Sequence, residues 1–296
     1  MTKPVLRLGF IDYFDPIPEF FTETLSNVFD IIRDDDNPDY VIFCDETFGT
    51  ENAKFNSRNV KKIFYTGENR RPWNYMAHHA ITFDHLDGPK FYRLPLYVVD
   101  NWVNIRKLAL PDIRNVRRNI VTEYEGFCSF IASNPNCKER NDFFHKLSKY
   151  KKVDSGGTLF NNIGGPLARE TWTGGHTAKY DFIRKRKFHI CYENSSYPGY
   201  VTEKLLHAFS VPGVIPIYWG SPTVELDFNK GSFLSRHNHT SDEDFIEKII
   251  RVDSDDSLFY EMLDKRPADY SNKFLNIDPF NQWFTENVYV GEINKK

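Results

Sequence analysis

Between Glu193 and Lys204 the chain gathers Glu193, Asn194, Tyr200, Glu203 and Lys204 in one short polar stretch. These groups fall where an apolar run ends and a helical pattern begins, and helix N-termini attract anions. Lys204 is the odd member: a cation in a first helical turn opposes the macrodipole, at a cost of ~0.3–1 kcal/mol. A bound anion would reverse that sign; a lysine reaching back to solvent fits the same spacing. Arg140 stands in a similar place, after Ser133-Asn134-Pro135-Asn136 and at the start of a helical pattern. A guanidinium there can grip phosphate bidentately, with charge-assisted hydrogen bonds of about 1.5–3 kcal/mol each. A surface arginine is the plain alternative, but Arg140 and Lys204 together favour a diphosphate. Glu68 follows another apolar run and could serve as a general base toward a hydroxyl, an effect of about 10²–10⁴-fold. It could equally be a turn residue, as could Asp45-Glu46.

The elements that must position these groups are legible as periodicities. Phe188, Ile190 and Tyr192 alternate with His189 and Cys191, the pattern of a strand; Val201, Leu205 and Phe209 recur along one helix face. Val214–Trp219 is a further apolar run bounded by Pro212-Gly213 and Gly220-Ser221-Pro222. Strand, helix and strand over Lys187–Gly220 make a βαβ unit, hence parallel strands and a right-handed crossover. In open sheets of this kind ligands lie beyond the carboxyl ends of the strands, where these polar residues fall.

The rest of the chain repeats the theme. Strands are expected at Val5–Ile11, Asp39–Cys44, Lys62–Thr66, His79–Phe83 and Tyr92–Val98, with a helix over about Glu19–Phe29. A second series follows: a strand at Gly126–Ala132, a helix at Glu139–Tyr150, the βαβ unit, and helices at Asp242–Arg251 and Ser257–Lys265. The pattern predicts an α/β protein with an N-terminal domain over 1–115, a C-terminal domain over 116–275, and a helix in 276–296 that packs back on the body. The basic run Arg184–Lys187 reads as a solvated approach to a strand.

Composition narrows the function classes. The 296 residues are 40% hydrophobic and 27% charged, with a net charge of −3, which argues against a general nucleic-acid binder. Cys44, Cys128, Cys137 and Cys191 show no metal spacing, and His78-His79 and His237/His239 lack a third ligand, so no metal site is expected. The N-terminus has no signal-peptide pattern and no apolar stretch approaches the ~20 residues of a membrane span. Neither a P-loop nor a dinucleotide-binding glycine fingerprint occurs.

Tyr192–Ser195, Tyr200–Lys204, Pro216–Pro222 and Ser232-Phe233 together closely resemble the signature of the α-1,3/4-fucosyltransferases, glycosyltransferase family ten. Phe64–Asn69, Phe91–Tyr97 and Ser133–Phe144 extend the likeness toward the bacterial members. The resemblance implies a GT-B architecture, two Rossmann-like α/β domains facing a central cleft. It implies an inverting transfer of L-fucose from GDP-fucose to a hydroxyl of N-acetylglucosamine in an N-acetyllactosamine-type glycan, the α-1,3 linkage favoured. By position, Arg140 and Lys204 would bind the diphosphate, Glu203 the ribose or fucose hydroxyls, Asn194 and Tyr200 the nucleotide sugar, and Glu68 would deprotonate the acceptor. No tightly bound cofactor follows from it, and the metal requirement stays open. The expected setting is cytoplasmic, with peripheral membrane attachment left open; a transferase using another GDP-sugar, or a silent glycan- or nucleotide-binding protein, remains an alternative. The first sixty residues match only loosely, so acceptor choice is least determined.

Overall fold

Apolar strands alternate with helical connections along the chain and sort into two separate parallel sheets. The computed structural model describes residues 2–100, 107, 109, 124–168, 177–269 and 272–291. They form two compact units, an N-terminal one of Met1–Asp100 with Asn276–Lys296, and a C-terminal one of Asn101–Leu275. The boundary expected at 115–116 lies outside the described residues.

In the N-terminal unit β1 (Val5–Ile11) leads into α1 (Ile17–Leu25), then β2 (Asp30–Arg33), β3 (Tyr40–Phe43), β4 (Lys61–Tyr65), β5 (His79–Thr82) and β6 (Phe91–Arg93). The order is β2-β1-β3-β4-β5-β6, with every pair parallel. Central strands such as β3 are buried at every residue, as expected where helices or loops cover both faces. α1 carries Ile17, Phe20, Phe21, Thr24 and Leu25 inward, and Pro18 sits in its first turn, where a missing N–H costs nothing. The strand expected over Tyr92–Val98 ends at Arg93; residues 96–100 are helical, because Pro95 cannot extend a ladder but can open a helix. β2 shows no periodicity in the sequence because Asp30, Arg33 and the half-covered isoleucines of this edge strand give no buried face.

The last segment from Asn276 on belongs to this unit. It is a short α-helix (Asp278–Trp283) and a π-turn (Phe284–Val288) rather than one helix, and the 3₁₀ turn before it (Lys273–Leu275) closes the C-terminal unit. Phe280 lies 5.8 Å from Phe21 and 5.2 Å from Tyr92, ring centre to ring centre. The Tyr40 hydroxyl donates to the Gly291 carbonyl at 3.0 Å and accepts from the Val290 N–H at 2.8 Å.

The C-terminal unit has β7 (Gly126–Phe130), α2 (Lys138–Leu147), β8 (Val153–Ser155), α3 (Thr177–Arg184), β9 (Arg186–Tyr192), α4 (Glu203–Phe209), β10 (Ile215–Trp219), β11 (Leu234–Ser235), α5 (Asp242–Ser254) and α6 (Asp256–Asp264). Its sheet runs β11-β10-β9-β7-β8, again all parallel, with the βαβ unit read from Lys187–Gly220 as β9-α4-β10. Phe143, Phe188, Ile190, Ile217, Phe245 and Phe259 are central to its core. Only the second half of the basic run departs from a solvated approach: Arg186 grips Asp154 at 3.0 Å and Lys187 meets the buried Asp253 at 3.2 Å, while Arg184 and Lys185 stay exposed in surface pairs with Asp181 and Glu125. Alternation at the start of β9 sends Arg186 and Lys187 to different acidic neighbours. The four cysteines are buried and unpaired. No described helix is long and apolar enough to cross a membrane.

Candidate active site

The order of the C-terminal sheet reverses between β7 and β9, which are hydrogen-bonded neighbours but send their connections toward opposite sides. Arg140 comes from the first turn of the helix after β7, Asn194 from the loop after β9. The two side chains meet: Arg140 Nη1 donates to Asn194 Oδ1 at 2.7 Å, and Nη2 donates to the Asn134 carbonyl. Arg140 is only 2% exposed, so it is not the surface arginine its helical position also allowed. Its Nε is buried without a partner among the described residues. Burial lowers the guanidinium's pKa, against the pull of Cys137, Glu193 and Tyr200.

One strand over, Glu193 organises the start of α4. This carboxylate is fully buried and accepts from the Thr202 N–H at 2.8 Å, the Thr202 hydroxyl at 2.6 Å and Lys204 Nζ at 3.0 Å. Thr202 is the N-cap residue, yet its hydroxyl does not cap its own helix; it is spent on Glu193. Lys204 also donates to the Thr202 hydroxyl at 2.8 Å and lies 3.6 Å from Glu203. The cation that opposes the helix dipole therefore has two protein carboxylates for partners. Burial works against the Lys204 ammonium, but Glu193 and Glu203 outweigh it and raise its pKa. Burial raises the Glu193 pKa. Burial also works against the Glu203 anion, yet Lys204, Lys179 and His207 pull its pKa well down, so it is ionised at neutral pH.

Glycine chemistry fixes the far wall. A β-carbon on Gly220 would stand 2.3 Å from Glu193 Cγ, so only glycine lets β10 end against the buried carboxylate. Gly199, at φ 83°, turns the loop beneath Tyr200 and donates its N–H to Ser221 Oγ and Thr223 Oγ1, both at 2.9 Å. Tyr200 is 2% exposed on this clamped loop. Behind it, Lys179 Nζ meets His207 Nδ1 at 2.7 Å and Ser129 Oγ meets His189 Nδ1 at 2.8 Å. Burial drives the His189 pKa down to about 3 and His207 well below its ordinary value, so both rings are neutral polar core. Beside the first turn of α2, a cavity of about 300 Å³ is lined by Tyr192, Trp219, Arg236 and Asp242 among others.

Glu68 belongs to the N-terminal unit, just past the carboxyl end of β4, and is half-buried. Its N–H donates to the Thr66 hydroxyl at 3.0 Å, and that hydroxyl donates to Asp45. The Arg70 N–H closes the turn on the Glu68 carbonyl at 2.7 Å. Gly67 is equally constrained, since a β-carbon there would lie 2.8 Å from Leu96 Cδ2. The structure separates Asp45 from Glu46: Asp45 is fully buried and bound to Thr66 and the Thr47 N–H, whereas Glu46 is exposed and pairs with Tyr75 and Arg70.

Arg140 is thus joined to Asn194, and Glu203 to Lys204, with Tyr200 on the same loop as the second pair; Glu68 stands in the other unit. The sequence places Glu193 among these polar groups but assigns it no role, although it is the hub. Its signal was available: a first-turn lysine that opposes its helix dipole, eleven residues after a carboxylate at a strand end. No cluster of histidine, cysteine and carboxylate ligands suited to a metal occurs among the described residues.

Residues 6–100 match the model of the alpha-(1,3)-fucosyltransferase FucT N-terminal domain, and residues 123–282 that of the glycosyltransferase family 10 (fucosyltransferase) C-terminal part. The chain is 32% identical over 238 residues to the alpha-(1,3)-fucosyltransferase FucT of Helicobacter pylori, covering 71% of this chain and 48% of that protein. It therefore spans about half the length of that curated relative, 27% of a relative from Acanthamoeba polyphaga mimivirus and 35% of the alpha-(1,3)-fucosyltransferase B of Drosophila melanogaster. A solved α1,3-fucosyltransferase bound to GDP-fucose superposes with a TM-score of 0.77 at 27% identity, covering 99% of this chain and 94% of that one. A DNA-modifying β-glucosyltransferase, 10% identical with a TM-score of 0.56 over 94% of this chain and 97% of its own, shares the fold alone. Two α/β units with parallel sheets on this plan are the GT-B architecture, and the chain belongs to glycosyltransferase family 10, the fucosyltransferases.

Proposed function

We propose that this chain transfers L-fucose from GDP-fucose to a hydroxyl of N-acetylglucosamine in an N-acetyllactosamine-type glycan, forming an α-1,3 linkage with inversion. The observation that carries the reading is the joining of Arg140 to Asn194 across the switch point of a family 10 donor unit. That is where an open parallel sheet presents groups to a nucleotide. Arg140 and Lys204 balance the charge that grows on the diphosphate as the C1–O bond breaks, the kind of pre-organised electrostatic aid that dominates many transferases. The ionised Glu203 accepts from ribose or fucose hydroxyls, and Asn194 and Tyr200 hold the nucleotide sugar. Because Glu193 and Glu203 already neutralise much of Lys204, Arg140 carries the larger share of the diphosphate.

On the acceptor side Glu68 takes the proton as the sugar oxygen attacks C1 of fucose. One C–O bond forms, one breaks, the proton ends on Glu68 and the electron pair leaves with GDP. The turn through Thr66, Asp45 and Arg70 holds the Glu68 backbone for that task. A cytoplasmic setting fits this chemistry, since nucleotide sugars are made there.

The test is incubation with GDP-fucose and N-acetyllactosamine, followed by GDP release and glycan mass. Glu68→Gln should cut turnover by about 10²–10⁴-fold while GDP affinity stays within twofold. Equal turnover in the variant, or no transfer to any N-acetylglucosamine-containing acceptor, overturns the assignment. Competition among GDP-sugars separates fucose from other donors.

A further inference from the structure

The loop that begins at Glu68 ends in two large apolar side chains held out to solvent. Trp73 is 61% exposed and Met76 is 71% exposed. Isolated exposed hydrophobics are ordinary, but this loop is pinned on every side except theirs. Arg71 pairs with Asp84, donates to Asn69 and lies 4.6 Å over the Phe83 ring. Arg70 reaches Glu46 at 3.2 Å, and Glu46 accepts the Tyr75 hydroxyl at 2.6 Å. The Tyr75 ring stacks on the buried Phe64 at 4.1 Å with a 13° tilt, and Pro72 is buried. With Pro72 and Tyr75 turned inward by the 3₁₀ turn Pro72–Asn74, Trp73, Asn74 and Met76 must face outward. A flexible loop would be free to fold its indole against the sheet; this one is held so that it cannot.

We propose that Trp73, flanked by Met76, is the platform on which a pyranose of the acceptor glycan stacks, the galactose that neighbours the reacting N-acetylglucosamine. The proposal rests on the fucosyltransferase reading and on Glu68 as the base of the same loop. Five residues span at most about 17 Å of extended chain, so the indole stays within one oligosaccharide's reach of Glu68. Galactose matches an indole face because its axial hydroxyl leaves one ring face made of C–H groups. An indole supplies a large, rigid apolar surface with a negative face toward those hydrogens. The thioether of Met76 adds an adaptable edge. Trp73 is a specificity residue here, while the chemistry stays with Glu68.

The experiment compares N-acetyllactosamine with N-acetylglucosamine alone as acceptors for wild type, Trp73→Ala and Trp73→Phe. In Trp73→Ala the KM for the disaccharide should rise about tenfold, the order a lost aromatic face carries. Its kcat, the KM for GDP-fucose and the KM for the monosaccharide should hold, and Trp73→Phe should recover most of the loss. An unchanged disaccharide KM, or an equal rise for the monosaccharide or donor, overturns the platform. Saturation-transfer NMR with N-acetyllactosamine, read at the galactose ring protons, gives a second arm independent of turnover. Signal in wild type and its loss in Trp73→Ala support the platform even if no fucose is transferred, in which case the reading of the activity is what fails. No galactose signal in wild type overturns the platform itself.

Discussion

The two units are built on one plan but carry different charged groups at their carboxyl edges. In each, the strand order reverses beside the first strand: β1 lies between β2 and β3, β7 between β8 and β9. Both therefore splay their connections at the carboxyl edge, and both put buried carboxylates there. In the N-terminal unit these are Asp45, bound to hydroxyl and backbone donors, and Asp84, bound to Arg71 and Thr82. In the C-terminal unit Glu193 instead holds a lysine, and a buried arginine stands beside it. The scaffold supplies loop ends; residue type at those ends decides whether they receive an anion or a hydroxyl.

Removing the central carboxylate of each edge should break the symmetry most. Glu193→Ala leaves Lys204 and the Thr202 donors buried with an incomplete set of partners, a loss of about 3–5 kcal/mol for a buried pair stripped of one member. Asp45→Ala strands only a hydroxyl and one N–H, about 1–3 kcal/mol. Urea unfolding of both variants checks the order; equal losses would mean that Lys204 gains nothing from Glu193. Next in size, Arg140→Ala should weaken GDP binding about 100-fold, near 2.7 kcal/mol. Lys204→Ala should cost less, because two carboxylates already share that ammonium. Calorimetric titration with GDP ranks them, and a larger loss at Lys204 would reverse the division of labour.

These differences also mark what the sequence could tell. Parallel strands with apolar periodicity, such as β9 and β10, were readable because burial imposes the pattern. β2 was not, since an exposed edge strand has no face to protect. The turn out of β6 was misread because a run of apolar residues around Pro95 reads as strand or helix alike. At the site, Arg140 and Lys204 were conspicuous as cations at helix starts. The partner of Arg140 was not, because the Arg140–Asn194 contact depends on β7 and β9 being neighbours, which spacing along the chain does not encode, whereas Glu193 and Lys204 lie on consecutive elements of one βαβ unit. The inward turn of Arg186 and Lys187 at the start of β9 is hidden for the same reason as the Arg140 contact: Asp154 and Asp253 reach them from β8 and α5.

Acid should discriminate between the units less strongly but in a definite direction. In the C-terminal unit Asp253 is buried and accepts from Tyr150 at 2.9 Å and Lys151 at 2.6 Å, besides its pairing with Lys187. Burial opposes its charge, but Lys151, Tyr150 and Lys187 prevail and hold its pKa below the ordinary 3.8. A carboxylate depressed in the folded state adds stability that is present above its unfolded value and is lost as pH falls through the folded one. Asp253→Asn should thus lower stability by about 1.5–3 kcal/mol at pH 7, the range of a hydrogen bond to a charged group. The gap from wild type should close below pH 3.8, as the wild-type carboxyl also takes up its proton. Denaturant melts across pH 2–7 read this, and a gap constant with pH would assign the loss to packing instead.

The smallest effect expected is at Glu46, and it bears on whether the N-terminal edge is pre-organised at all. Glu46→Gln keeps a hydrogen-bond acceptor for Tyr75 but removes the charge that holds Arg70. Exposed pairs of this kind contribute at most about 1 kcal/mol, so global stability should barely change. Yet the same pair is one of the ties on the loop carrying Glu68 and Trp73, and loosening it costs positional order where order matters for reaction. The disaccharide KM should rise two- to threefold, roughly the weight of half a kcal/mol, while donor KM stays fixed because the groups proposed to hold the donor lie in the other unit. A larger loss in kcat than in acceptor affinity would show that the tie serves the base more than the platform, and that the two ends of this loop are held separately.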